Sequence, residues 1–226
     1  MNLLLIETAT AVCSTALACD GQIVAHRKSS APNAHSVSLP LFIRELLALQ
    51  RPDAVCISAG PGSYTGLRIG TSTAKGICYA LDLPLLSVST LLSMASLYYR
   101  QHPAYCGLVC PMIDARRMEC YTLLVAPDLR ILRPVGADII TPDLYSPWLG
   151  QSEVVFIGDG AAKTQPLLGS HPNARFDPSF SLSAEGLLPL AESLWHEGKR
   201  EDVAYYEPFY LKDFVAKKSV VHGLRD

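Results

Sequence analysis

Four glycines fall within the eleven residues Gly60–Gly70, in the order GPGSYTGLRIG. A glycine turn feeding a helix presents free backbone N–H groups and the positive end of the helix dipole, which is chemistry suited to phosphate. The segment completes neither common phosphate pattern. No Gly-Lys-Ser/Thr follows it, and Lys75 stands too far into the next helix for a P-loop. Gly62 and Gly66 are separated by three residues, one more than the dinucleotide fingerprint allows. The other use of small residues is packing. Gly70 and Gly76 fall inside the expected helix, where each costs about 0.5–1 kcal/mol relative to alanine. Close approach by another backbone would offset that cost, so both uses stand.

The remaining candidate chemistry is sparse. No His-x3-His pair occurs anywhere, and the serines show no triad pattern readable from spacing, so protease chemistry is not expected. Seven cysteines, Cys13, Cys19, Cys56, Cys78, Cys106, Cys110 and Cys120, are odd in number and widely scattered. They read as small core residues rather than a disulfide framework. Cys106 and Cys110 lack the second ligand pair that zinc requires. Asp114-Ala115-Arg116-Arg117 is either a polar hairpin tip or an ion-paired contact to the other lobe or a partner.

The elements that must position these residues follow from the pattern of apolar residues and turns. The chain has 226 residues, 49% of them apolar, and a net charge of −2. That is enough for one large or two small cores and too little positive charge for a general nucleic-acid binder. No secretory leader and no apolar run of about 18–20 residues is present, which implies a soluble cytoplasmic protein and no membrane partner. Strands are expected at Asn2–Glu7, Val12–Cys19 and Gln22–Arg27, with Asp20-Gly21 as a hairpin turn. A helix should run to about Gln50, its start obscured by Pro40, which suits only a first turn. Strand Asp53–Ala59, a helix from about Leu67 to Leu81, strand Leu85–Val88 and a helix capped by Ser89 or Thr90 complete a first lobe, 1–102. His102-Pro103-Ala104 marks the boundary to a second lobe, 103–226. There, strands are expected at Gly107–Ile113, Glu119–Val125 and Glu153–Ile157, with a helix at Ser183–His196 capped by Ser183. No internal repeat is evident.

Five segments carry a family resemblance: LLLIETATAVCSTAL, HSVSLP, GPGSYTGLRIGTSTAKGICYALDLPLLSVSTL, IDARRMECY and EPFYLK. In this order they resemble the TsaB (YeaZ) family over most of the chain. The resemblance implies an α/β chain of actin-like, Hsp70-like ATPase fold, in two lobes that each hold a mixed sheet covered by helices. It implies a non-catalytic partner in making threonylcarbamoyladenosine next to the anticodon of tRNA. The expected partners are a TsaD-type metal-binding transferase, a TsaE-type small ATPase through that pair, tRNA indirectly, and a second copy when TsaD is missing. The catalytic paralogue's two metal-binding histidines fall by position on Thr90 and Met94, neither of which replaces imidazole. The fold's first-strand acid falls on Glu7, with Thr8 and Thr10 in the turn beyond it. Glu7 either handles Mg-phosphate or bonds its own turn. Gly158, Asp159 and Gly160 resemble the fold's adenosine-side turn, or else simply reverse the chain. No cofactor is required on this reading, and ATP or ADP would be held weakly or shared. The competing expectation is an autonomous ATPase or kinase of the same fold.

The expected mode of action is association. Leu39, Phe42 and Leu46 form one seam, and Leu67, Gly70, Ala74 and Ile77 another. Paired with the equivalent helices of a paralogue, they would make a four-helix unit. Lys212, Lys217, Lys218 and Arg225 could touch tRNA or form a solvated end diluted by Asp213 and Asp226.

Overall fold

The computed structural model describes residues 1–212; Asp213, Lys217, Lys218, Arg225 and Asp226 lie outside the described residues. Two five-stranded sheets form the frame. In the first, β1 (Asn2–Glu7), β2 (Cys13–Cys19) and β3 (Gln22–Ser29) run antiparallel, and β4 (Ala54–Ser58) and β5 (Leu85–Val88) add parallel to β1, in the order β3-β2-β1-β4-β5. In the second, β6 (Leu108–Asp114), β7 (Glu119–Val125) and β8 (Ile131–Ile139) are antiparallel. β9 (Val154–Ile157) and β10 (Ala174–Asp177) add parallel, in the order β10-β9-β6-β7-β8. The two orders are the same, so the architecture repeats although the sequence shows no repeat. This is the two-lobed, mixed-sheet actin-like architecture that the resemblance implies.

Alternating side chains on each strand bury both sheet faces. Leu4, Ile6, Leu17, Val55 and Ile57 pack under helices α1 (Ala34–Leu49) and α2 (Tyr64–Leu81). Leu3, Leu5, Ala16, Cys56 and Leu86 pack on the opposite face under a 3-10 turn, Ala184–Leu187, and a C-terminal helix. Helix α3 (Thr90–Gln101) covers the second sheet through Leu91, Met94 and Leu97 against Val109, Leu123 and Val155. Short helices α4 (Ser146–Leu149) and α5 (Ala161–Leu168) cover its other face, and the C-terminal helix is α6 (Leu188–His196). Helix packing therefore crosses the boundary drawn at residue 102: α3 serves the second sheet, and the 3-10 turn with α6 serves the first.

Several boundaries differ from expectation. Helix α1 begins at Ala34, which leaves Pro40 inside it. Pro40 faces solvent, and Ser36, whose carbonyl loses its helical donor, is exposed as well. Helix α2 begins three residues early because Ser63 caps it, accepting from the Gly66 N–H at 3.3 Å. Ser183–His196 is split into the 3-10 turn and α6, with Pro189 in the first turn of α6 and Ser183 accepting from Glu185 N–H. Among the described residues, no helix is long and apolar enough to cross a membrane.

Candidate functional site: the interlobe cleft

The glycine segment lies against the turn that follows β1. Gly62, Gly66 and Gly70 are four apart, so they share one face of the α2 entry. A Cβ on Gly62 would overlap Ala9, one on Gly66 would overlap the Thr8 carbonyl, and one on Gly70 would overlap Thr8 Oγ1. The Ser63 N–H donates to the Ala9 carbonyl at 2.7 Å. The close approach that the glycines permit is thus made within this chain, and the packing use prevails.

That contact seals Glu7. It closes β1 with 0% exposure. Its Oε1 accepts from the Ala9 N–H at 2.7 Å and the Ser58 hydroxyl at 2.8 Å, while Oε2 is buried without a partner. Burial pushes its pKa up to about 7, against the pull of those hydrogen bonds. Glu7 bonds its own turn. A carboxylate so enclosed does not fit the handling of Mg-phosphate, since it reaches no cleft and its one bonded oxygen is already committed. Thr8 is buried beside it.

Between the lobes runs a cleft of about 620 Å³, with a smaller pocket of about 150 Å³ adjoining it. Thr10 and Asp159 line both, and Gly158 lines the smaller. The second lobe contributes the β6–β7 turn. Asp159 Oδ1 accepts from the Asp114 N–H at 2.9 Å, and Asp114 Oδ1 accepts from the Arg116 N–H at 2.7 Å. Lys163 donates to the Asp114 carboxylate and to the carbonyls of Arg117 and Glu119 at 2.8 and 2.7 Å. Partial burial pushes the Asp114 carboxyl up, but Lys163 and the Arg116 N–H more than offset it and hold it below its ordinary value. Arg116 and Arg117 both sit in the left-handed region, at φ 70° and 52°, a strained pair for side chains with Cβ atoms. Of the six residues assigned to nucleotide loops, Thr10, Gly158 and Asp159 meet at the cleft. Glu7 and Thr8 lie behind the wall, and Gly160 is buried against Met112 and Cys120. The cleft-lining Tyr64, Tyr121 and Tyr210 carry no periodic signal that would have picked them out.

Thr90 and Met94 are committed to packing. Thr90 Oγ1 accepts from the Gly60 N–H at 3.0 Å, and Met94 Cε fills the space beside Gly158. Among the described residues, no group of three or more His, Cys, Asp or Glu is placed to hold a metal ion. Burial pushes the Cys13 and Cys78 thiols up to about 11 and Cys110 to about 12, as suits inert core residues.

The seams expected to meet a partner require correction. Leu39, Leu46, Leu67, Gly70 and Ala74 are buried in this chain, and Phe42 and Ile77 are half-buried against the same core. A seam spaced three and four marks an apolar face without saying whether a sheet or another chain covers it. Here the first sheet and the Thr8–Ala9 turn do. What α1 and α2 leave outward is a different set: Val37 at 62% exposure, Leu41 at 45%, Leu49 at 61% and Tyr79 at 87%. Gly76, also outward, has nothing within 4 Å of where a Cβ would stand.

Comparison with known proteins gives a consistent set of similarities. A family model described as TsaD, tRNA N6-adenosine threonylcarbamoyltransferase, matches residues 23–219. The tRNA threonylcarbamoyladenosine biosynthesis protein TsaB of Escherichia coli (strain K12) is 32% identical, over 97% of this chain and 98% of its own length. Its namesake from Haemophilus influenzae is 36% identical over 97% of each. The solved structure of YeaZ from Pseudomonas aeruginosa superposes with a TM-score of 0.81 at 29% identity, covering 93% of this chain and 99% of that one.

Proposed function

The chain belongs to the TsaB (YeaZ) family, and from that premise we propose that it serves tRNA threonylcarbamoyladenosine synthesis as a non-catalytic subunit. It docks and activates a TsaD-type metal-binding transferase, and through that pair engages a TsaE-type small ATPase and tRNA. It works in the cytoplasm and pairs with a second copy when the transferase is missing. It needs no cofactor of its own, and any ATP or ADP is shared with the complex.

The observation that carries this reading is the outward apolar face of α1 and α2, side by side on one face of the first sheet. Val37 and Leu41 stand one turn apart on α1 and Tyr79 is exposed on the neighbouring α2, and large apolar groups left exposed on packed helices favour a protein partner. Gly76 and Ser72, small and exposed on α2, let a facing helix come close. The sealed Glu7 favours this reading over an autonomous ATPase.

Two measurements test it. Leu41→Asp combined with Gly76→Arg should weaken heterodimer formation by about tenfold or more, because interface energy concentrates in few residues. The free chain should stay folded with its thermal midpoint little changed, since the helix gain from replacing Gly76 offsets the loss of the partly exposed Leu41. A complex that forms undiminished rejects this face as the interface. Reconstituted modification with transferase, small ATPase, threonylcarbamoyl-adenylate and tRNA should require this chain. Equal turnover without it rejects the function.

A further inference from the structure

We infer that residues 201–212 form a cis-acting latch that closes the interlobe cleft from the side of the glycine turn. The segment leaves α6 and pairs with the edge of the first sheet, where the Glu201 N–H donates to the Leu85 carbonyl at 2.9 Å and the Ser87 hydroxyl donates to the Glu201 carboxylate at 2.5 Å. It then crosses α2, where Lys75 Nζ donates to the carbonyls of Ala204 and Tyr206 at 2.9 and 3.2 Å. At the glycine turn, the Phe209 N–H donates to the Ala59 carbonyl at 2.7 Å. A Cβ on Gly60 would stand 2.5 Å from the Phe209 carbonyl, and Gly60 has φ 107°, so the turn and the segment are fitted to each other. The Tyr210 ring packs on Tyr64 with centroids 5.0 Å apart. The segment then reaches the second lobe. Lys212 pairs with the Glu119 carboxylate at the start of β7 and lies 5.9 Å from the centre of the Tyr121 ring.

The segment is therefore held at four stations in the first lobe and tied at its far end to the second. Phe209, Tyr210, Leu211 and Lys212 line the 620 Å³ cleft directly. The tie to the second lobe is the weakest station, because Lys212 and Glu119 are partly exposed and such pairs contribute little. The first-lobe stations are several hydrogen bonds, two of them backbone to backbone, and a ring contact. Release therefore begins at Lys212, frees the cleft wall, and leaves the segment anchored by Glu201 and Lys75. Because Lys75 belongs to α2, the latch is also attached to the helix whose outer face is proposed above to dock a partner. The latch itself does not depend on that proposal.

Amide-resolved hydrogen exchange on the full chain tests the latch. Lys212→Ala should speed exchange at Phe209 by about two- to fivefold, as the loss of a partly exposed pair allows, and should also speed it at Asp114 in the opposite cleft wall, whose N–H is held by Asp159 of the same lobe, because that wall is then open to water. Lys212→Arg should restore both rates. Lys75→Met, which cuts two first-lobe hydrogen bonds, should speed Phe209 and leave Asp114 slow while Lys212 is intact. If Lys212→Ala alters exchange only at residues 211 and 212, or if Asp114 exchanges at the wild-type rate in that variant, the segment is a passive tail and the inference fails.

Discussion

The turn after β1 and the turn after β6 hold equivalent places in two sheets of the same strand order, and they are closed in opposite ways. Each first strand ends in an acid, Glu7 or Asp114. Each turn meets the junction after the fourth strand of its sheet, where a glycine of positive φ stands, Gly60 at 107° or Gly158 at 96°. In the first lobe three glycines let the entry of α2 press on the turn, two of them against its backbone, and the acid is sealed with its pKa raised. In the second lobe Lys163 reaches across instead, and the acid stays half-exposed, paired, with its pKa lowered. The same topology thus gives one turn that is structural and one that faces the cleft. The difference lies in whether the covering helix brings glycines or a lysine.

The sharpest way to break the comparison is to unseat the first turn. Gly66→Ala sets a methyl group against the Thr8 carbonyl, with backbone on both sides and no side chain able to give. It should cost about 3 kcal/mol or more in urea unfolding, at the upper end for overpacking. Alanine at Gly76, in the same helix, should cost nothing and should slightly stabilise it.

Next in size is the acid. Glu7 has a folded pKa near 7 against an ordinary 4.5, so the native state holds a proton that the unfolded chain releases between those values. Wild-type stability should therefore fall as pH rises from about 4.5 to 7, by up to about 3 kcal/mol, and then level off. Glu7→Gln should remove that fall, gaining about 1–3 kcal/mol at pH 8 and little at pH 4. Equal urea midpoints for the two proteins at pH 8 would contradict a buried, reluctantly charged Glu7.

The smallest effect belongs to the second turn. Lys163→Met should cost about 1–2 kcal/mol at neutral pH, from two carbonyl hydrogen bonds and one partly exposed ion pair. Asp114 has a lowered folded pKa, so the ion-pair share is present above its ordinary value and fades as pH falls through the folded one. Acid titration of the stability difference between wild type and variant measures that share. A difference flat with pH would mean that the carbonyl bonds carry the whole effect.

How much of this was legible in the sequence depended on how local each signal is. The first hairpin followed from Asp20-Gly21 between apolar runs, and strand β5 from the short, mostly apolar run Leu85–Val88 between turns. Strand β8 escaped because Arg133, Pro134, Gly136 and Asp138 interrupt its alternation. It is an edge strand, where Pro134 leaves no ladder partner unpaired. Strand β10 has four residues, and α5 carries Pro166 inside it, so neither shows a period. The glycines announced a close approach. What approaches them, Thr8 and Ala9, lies more than fifty residues earlier, and no spacing rule connects the two. For the same reason the buried faces of α1 and α2 read as an interface, whereas Val37 and Tyr79 carried no spacing signal of their own.

The exchange of helices between lobes has a consequence for synthesis of the protein. Leu3, Leu5, Ala16 and Leu86 belong to the first half of the chain, yet the residues that cover them, Ala184 to Ala191, are among the last to leave the ribosome. Until then that sheet face is bare. The nascent N-terminal lobe must therefore remain incomplete through most of translation, and a chain that stops at residue 102 lacks the cover for its own first sheet.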